Sequence, residues 1–349
     1  MNKVIFYILS FLFLFVACSQ EEVVTHDDED KEKERLVTLN VTIPGAPSYT
    51  QTRATEQGSD AENLITSLHV TLTVGATNLE KTFTGSELTE TGFTDKGYPT
   101  IRITYPIDVT LLEGVTGIQA QIFANSSTPP APIVGEIDFW NADKTLKPLF
   151  MSGKATINKS GDVYSGEVEL TRQVAKVRLK VSKSIDCIPL NLQILYDKIE
   201  VTMLKVANQS DPLKSIDIST TSGFDYISYN KRTGQELRMV KTDNVHDPLT
   251  VVDSCYIHEN YKDNAIDYND GNTTTLKIEI PTLDPVTNQE EILSGEYKIK
   301  GDDGYVIKRN HIYTLDIKVR SQTTPLDISL LIRPWEVKEE YYPDLEPVL

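Results

Sequence analysis

The chain has 349 residues, room for a leader and two domains of ordinary size, and its formal net charge is −17. That balance argues against a nucleic-acid binder, because phosphate recognition depends on clustered Lys and Arg. Its cysteines, Cys18, Cys187 and Cys255, are too few for a disulfide framework, and the sequence leaves open whether the last two pair or stay thiols.

The first element is a leader. Lys3 precedes an apolar run from Val4 to Phe15, broken only by Ser10 and ending Val16-Ala17-Cys18. The run is shorter than the roughly 20 residues that a spanning helix needs. Residues 1–17 therefore read as a lipoprotein signal peptide and Cys18 as the acylated first residue of the mature chain. Behind it, Ser19 to Glu22 and Asp27 to Arg35 carry almost no apolar side chains and cannot bury enough surface to fold. Residues 18–35 read as an acidic, disordered tether that reaches about 60 Å at ~3.3 Å per residue.

From Leu36 onward the hydrophobic period is two, the signature of half-buried strands. Val37, Leu39, Val41 and Ile43 alternate with polar residues, and the pattern returns at 68–74, 118–122, 177–181 and 275–280. It closes with Tyr313 to Val319 and then with Leu326, Ile328, Leu330 and Ile332. Polar turn clusters fall at 125–130, 158–162 and 267–272. One helical turn fits within Ala61 to Ser67, and Leu190 to Leu195 reads equally as strand or helix. This is an all-β chain of antiparallel β-sandwiches in tandem. The expected division is an N-terminal sandwich over 36–166, a C-terminal one over 167–335 with the junction near Gly166, and a tail over 336–349.

Chemistry is sparse. The histidines are scattered, and no metalloprotease, serine-hydrolase or phosphate-loop pattern occurs. Cys255 and His258 supply two metal ligands where a structural zinc site needs four. Asp267 to Asn272 has the composition of a calcium loop without its spacing or distal Glu. No catalytic residue, metal or cofactor is expected.

Several segments, in order along the mature chain, resemble the fimbrillins, the type V pilins of Gram-negative gut and oral bacteria. They are Thr52-Arg53-Ala54-Thr55, Gly117 to Asn125, Met151-Ser152-Gly153, Glu169 to Val177, His258-Glu259-Asn260, Arg309 to Tyr313 and Pro334-Trp335. The resemblance implies two transthyretin-like seven-stranded sandwiches, export as an outer-membrane lipoprotein, and maturation by an arginine-specific protease that cuts just past the first strand. Arg53, followed by Ala54, matches that position. Arg35 precedes the strand, so a cut there would leave Val37 to Ile43 in place. The resemblance further implies that a C-terminal strand of one subunit replaces the lost first strand of the next, building a surface fimbrium that serves adhesion.

The residues support the same reading physically. If Val37, Leu39, Val41 and Ile43 pack inward, each contributes roughly 1.5–3 kcal/mol while its strand is attached. Loss of that strand opens an apolar groove between unpaired edges. Leu326, Ile328, Leu330 and Ile332 offer a matching face, and head-to-tail insertion does not close, so it gives a filament. The expected partners are other fimbrial subunits, the protease, the outer membrane through the lipid, and a host or bacterial surface ligand. The tail beyond Trp335 departs from the pattern, with Glu339, Glu340 and Pro343 interrupting it. Met151 and Tyr313 read as core, His311 as a strand start, and Arg172 as a residue that caps or pairs within a sheet. Two alternatives are an unprocessed anchor or tip subunit and a glycan-binding surface lipoprotein using Tyr256, Tyr261, Tyr268, Tyr341 or Tyr342.

Overall fold

A computed structural model of the chain describes residues 33–43, 60–93, 99–126, 133–134, 148–184, 192–214, 226–228, 232–233, 237, 239–241, 249–260, 273–299, 307–320 and 326–334. In chain order its first part supplies β1 (Glu34–Thr42), β2 (Ser67–Val74), β3 (Thr77–Thr84), β4 (Thr89–Phe93) and β5 (Pro99–Asp108). Next come β6 (Gly117–Ala124), β7 (Ile133–Val134), β8 (Met151–Ser160), β9 (Val163–Glu169) and β10 (Thr171–Arg172). The later part opens with β11 (Ala175–Lys183), β12 (Gln193–Ile194), β13 (Glu200–Leu204), β14 (Val206–Ala207), β15 (Gln209–Ser210), β16 (Tyr226–Ile227) and β17 (Arg232–Thr233). It ends with β18 (Met239–Lys241), β19 (Leu249–Ile257), β20 (Thr275–Asp284), β21 (Gln289–Lys298), β22 (His311–Val319) and β23 (Asp327–Pro334). Among the described residues the one α-helix is the short α1 (Asp60–Asn63).

The first nine-stranded sheet runs β3-β2-β6-β8-β9-β1-β5-β4, with β10 also paired to β8. One face of this sheet is apolar along its whole width: Leu68, Val70 and Leu72 on β2, Ile118 and Ile122 on β6, Val37, Leu39 and Val41 on β1, and Ile103 and Ile107 on β5 are all buried. A lone sheet buries one face only by folding over on itself, and β8 is where that happens. It pairs with β6 from Met151 to Asn158 but with β9 only from Asn158 to Ser160. The two layers approach closely at Gly153, where a Cβ would lie 2.6 Å from the carbonyl oxygen of Glu169. Only glycine allows that approach.

The second part forms two five-stranded sheets, β18-β19-β11-β22-β23 and β12-β20-β13-β17 with β21 on the other side of β20. The first presents Val177, Leu179 and Val181 of β11 and Tyr313, Leu315 and Ile317 of β22, while the second presents Val201 and Met203 of β13 and Leu276, Ile278 and Ile280 of β20. These rows meet in one hydrophobic cluster, as in a β-sandwich. The cluster also takes in the inner face of the first sheet.

Several expectations need adjusting. The tether was to run through Arg35, but β1 starts at Glu34, which pairs with Asp108 while Arg35 pairs with Ile107 and bridges to Asp162 at 2.9 Å. Ladder bonds and an ion pair hold these two residues despite their polarity. Gly166 lies inside β9, opposite Leu39, so the passage to the second part comes later, between Arg172 and Ala175. A glycine inside a strand marks close packing as readily as a linker, and here a Cβ would come 3.1 Å from Ile157. The turn cluster at 158–162 is a tight hairpin, with β8 running to Ser160 and β9 starting at Val163. Two ladders among the described residues are parallel, β1 with β9 and β11 with β22; in each case a long stretch of chain separates the partners, which is what parallel pairing requires.

Candidate functional site

The strand singled out by sequence occupies an inserted position. β1 pairs antiparallel with β5 along its full length and parallel with β9 from Val37 to Thr42. Its inward row, Val37, Leu39, Val41 and Ile43, is buried, with the first three at 0% exposure. Hydrogen bonds therefore hold β1 on both edges and the core holds it on one face, and its removal would leave β5 and β9 each with an open edge. Ion pairing and capping tie down its start. Val109 N–H donates to the Lys33 carbonyl at 2.9 Å. Asp108, opposite Glu34, accepts from the Thr110 backbone N–H at 2.9 Å and its hydroxyl at 2.7 Å. Those bonds, the hydroxyl's first, hold the Asp108 carboxyl below its ordinary value.

The candidate donor row sits differently. Among the described residues β23 is an edge strand paired only with β22, from His311↔Pro334 to Lys318↔Asp327. Leu326 lies just before it and is buried, whereas Ile328, Leu330 and Ile332 are half-buried against the core. One ladder and a shallower face hold β23, against two ladders and a fully buried face for β1. Cys18, Arg53 and Ala54 lie outside the described residues, as do Cys187, the 267–272 cluster, Tyr261, Tyr268 and residues 336–349.

The passage from the first sheet to the second is knit by buried polar groups. Arg172 is 0% exposed and donates to Asn310 Oδ1 at 2.9 Å and to Asn63 Oδ1. Its backbone pairs with Met151 in its own sheet, as expected of a residue that pairs there, while its side chain reaches across the passage. Lys176 of β11 meets Glu62 of α1 at 2.7 Å, and Tyr256 of β19 donates its hydroxyl to the same Glu62 oxygen. Arg309 bridges to Glu259 at 2.6 Å and donates to the carbonyls of Asp211 and Lys214 and to Gln173 Oε1. The sequence gives little sign of this cluster, whose members are far apart in the chain. Asn310, with φ 57°, and His311 at the start of β22 mark the turn that delivers Arg309.

Beside this network lies a cleft of about 340 Å³, lined in part by Ser152, Lys154, Glu169, Gln173, Lys214 and Arg309. Arg309 and Gln173 spend their polar groups on protein partners: Gln173 donates to Ser152 Oγ at 2.7 Å and to the Thr171 carbonyl at 2.8 Å. The cleft is thus walled by a self-satisfied network. Among the described residues no three His, Cys, Asp or Glu side chains are placed to hold a metal ion. Cys255 and His258 are both buried, and His258 Nδ1 lies 3.1 Å from Ser210 Oγ. Tyr256 is buried at the junction, so it is no part of an exposed aromatic platform.

The family model described as fimbrillin-A associated anchor proteins Mfa1 and Mfa2 matches residues 136–341. The structure is similar to that of the tip fimbrial protein Mfa3 from Porphyromonas gingivalis, solved with a C-terminal truncation, at 13% identity and a TM-score of 0.47, over 86% of this chain and 100% of that one. It is also similar to a fimbrial assembly protein from Parabacteroides distasonis, at 11% identity and a TM-score of 0.42, over 86% of this chain and 100% of that one. No curated protein sequence matches the chain.

Proposed function

Since this chain belongs to the family of fimbrillin-A associated anchor proteins, we propose that it is a fimbrial subunit of the cell surface that assembles by exchanging β1 for a strand of another subunit. In this reading residues 1–17 direct export, Cys18 carries the lipid at the outer membrane, and an arginine-specific protease cuts between Arg53 and Ala54. The chain then takes no part in catalysis, and the chemistry is performed on it.

The observation that carries the proposal is the position of β1 between β5 and β9 with its apolar row fully buried. A strand so placed completes the precursor as a closed monomer. Its release opens a slot with a hydrogen-bonding edge on each side, and a strand bringing the right alternation fills both. The row Leu326, Ile328, Leu330 and Ile332 has that alternation. In its own subunit β23 satisfies one ladder at an edge; in the slot of a neighbour it would satisfy two. Each ladder bond contributes about 0.5–1.5 kcal/mol net, so transfer from edge to slot runs downhill. Arg35, by contrast, is held in β1 by its pairing with Ile107 and its bridge to Asp162, which supports Arg53 as the processed residue.

A second reading is favoured by the description of the family as anchor proteins. An anchor would keep β1 and its lipid and offer only β23 to the next subunit. One experiment separates the two. The chain lacking residues 1–17 is treated with an arginine-specific protease, its new N-terminus is read by mass spectrometry, and the product is run unheated on a denaturing gel. A terminus at Ala54 with a ladder of multimers is the expected result. An intact Arg53, or a clean cut that leaves a monomer, overturns the exchange reading and leaves the anchor.

A further inference from the structure

Charge buried at the junction holds the segment that leads from residues 44–59 into β2. Glu62 is fully buried, accepting from Lys176 Nζ at 2.7 Å and from the Tyr256 hydroxyl. Lys176 and Tyr256 face each other across the β11–β19 ladder, and the ammonium lies 5.7 Å from the Tyr256 ring centroid. The next residue, Asn63, accepts from Arg172. Beyond it, Asn125 donates to the Leu64 carbonyl at 2.9 Å and accepts from the Thr66 backbone N–H at 2.8 Å. A single helical turn with one fully buried charge and little apolar surface of its own is not fixed by burial. These staples fix it, and the ion pair among them must stay paired, because one partner alone would be an uncompensated buried charge.

The upstream end of residues 44–59 is held elsewhere. There the Thr42 carbonyl accepts from Leu170 N–H at 2.8 Å, close in sequence to Arg172. Both ends thus reach the passage between the sheets, but the upstream end continues β1 in the first sheet while the downstream end is fastened to β11 and β19 of the second. We infer that the Glu62–Lys176 pair is the anchor of the downstream arm. When the chain is cut within residues 44–59, the pair keeps residues 60–63 on the second sheet, ahead of the Asn125 bonds that hold Leu64 and Thr66 to the first, so that β1 alone is freed and the arm stays out of the slot between β5 and β9. The inference takes its biological occasion from the proposed cut at Arg53, but its geometry does not depend on that residue.

The test keeps the two apart. In a parent chain lacking residues 1–17, the recognition site of a sequence-specific protease replaces residues 50–55, so the chain can be cut there whether or not Arg53 is a natural site. Amide hydrogen exchange of residues 60–63 is then measured before and after nicking, in the parent and with Glu62→Gln. Nicking should leave exchange in the parent within about twofold, while the nicked variant should exchange at least about tenfold faster. Loss of protection in the nicked parent overturns the inference, as does retained protection in the nicked variant. If Glu62→Gln does not fold, Glu62→Gln with Lys176→Met, which leaves no charge unpaired, is read by the same two outcomes. A protected arm together with an uncut Arg53 in the natural sequence would sink the processing reading and leave the anchor standing.

Discussion

Asn125 occupies the left-handed region at φ 62°, where its short polar side chain is tolerated, and from there its amide reaches Leu64, Thr66 and Leu149. The sequence marks the residue only as the start of a turn cluster; that it staples three segments depends on β2, β6 and β8 lying side by side. Asp108 is the opposite case, an exposed carboxylate whose bonds are local, to Thr110 two residues on. Its carboxyl is held low by the Thr110 hydroxyl first and the Thr110 N–H second. A folded value below the unfolded one means that the ionised group stabilises the fold above the ordinary carboxylate range, and that this contribution is lost as pH falls through the folded value. Asp108→Asn should therefore flatten the acid limb of the stability curve and leave it unchanged in shape above about pH 6, where the carboxylate is ionised in both states. Urea midpoints of both chains from about pH 6 down to about pH 2 check this, and parallel acid limbs would refute it.

At the scale of elements, legibility followed burial on one face. β1, β2, β11 and β22 announce themselves because each alternates apolar and polar residues and buries the apolar row. β21 has no such signal: Gln289 to Glu291 and Glu296 leave it polar, it is mostly exposed, and its ladder with β20 makes it a strand. β5 was legible in principle, since Ile101, Ile103, Tyr105 and Ile107 alternate. The contrast between β1 and β23 makes a prediction that neither strand gives alone. Leu39→Ala removes a fully buried side chain and should destabilise the uncut chain by about 2–5 kcal/mol. Leu330→Ala, at a half-buried edge position, should destabilise it by less than half as much. If β1 is released and β23 donated as proposed, the order should reverse after cutting, because Leu39 would leave with its strand while Leu330 would enter the neighbour. Denaturant midpoints of the uncut chains and multimer ladders of the cut ones test both halves. A ladder lost with Leu39→Ala and kept with Leu330→Ala would mean that another segment is the donor.

For the whole molecule the coupling between the two parts decides whether they unfold together. Sequence pointed to tandem sandwiches, but it could not show the coupling: Glu62, Lys176 and Tyr256 are ordinary residues, far apart in the chain, until folding gathers them. Three things cross the passage: a continuous hydrophobic cluster, a set of buried polar links and the short β7–β15 ladder. Their energetics differ. Apolar contact stabilises in proportion to area, whereas a buried ion pair roughly offsets its own desolvation and becomes costly only when one partner is removed. The cluster should therefore supply the cooperativity, and the ion pair the fixed position of the arm. Lys176→Met, which strands Glu62, should lower stability by about 3–5 kcal/mol, and adding Glu62→Gln should recover most of that loss. All three chains should nonetheless melt in one calorimetric transition with matching calorimetric and van't Hoff enthalpies. Two resolved transitions in the double variant would mean that the polar links, not the shared apolar core, join the halves.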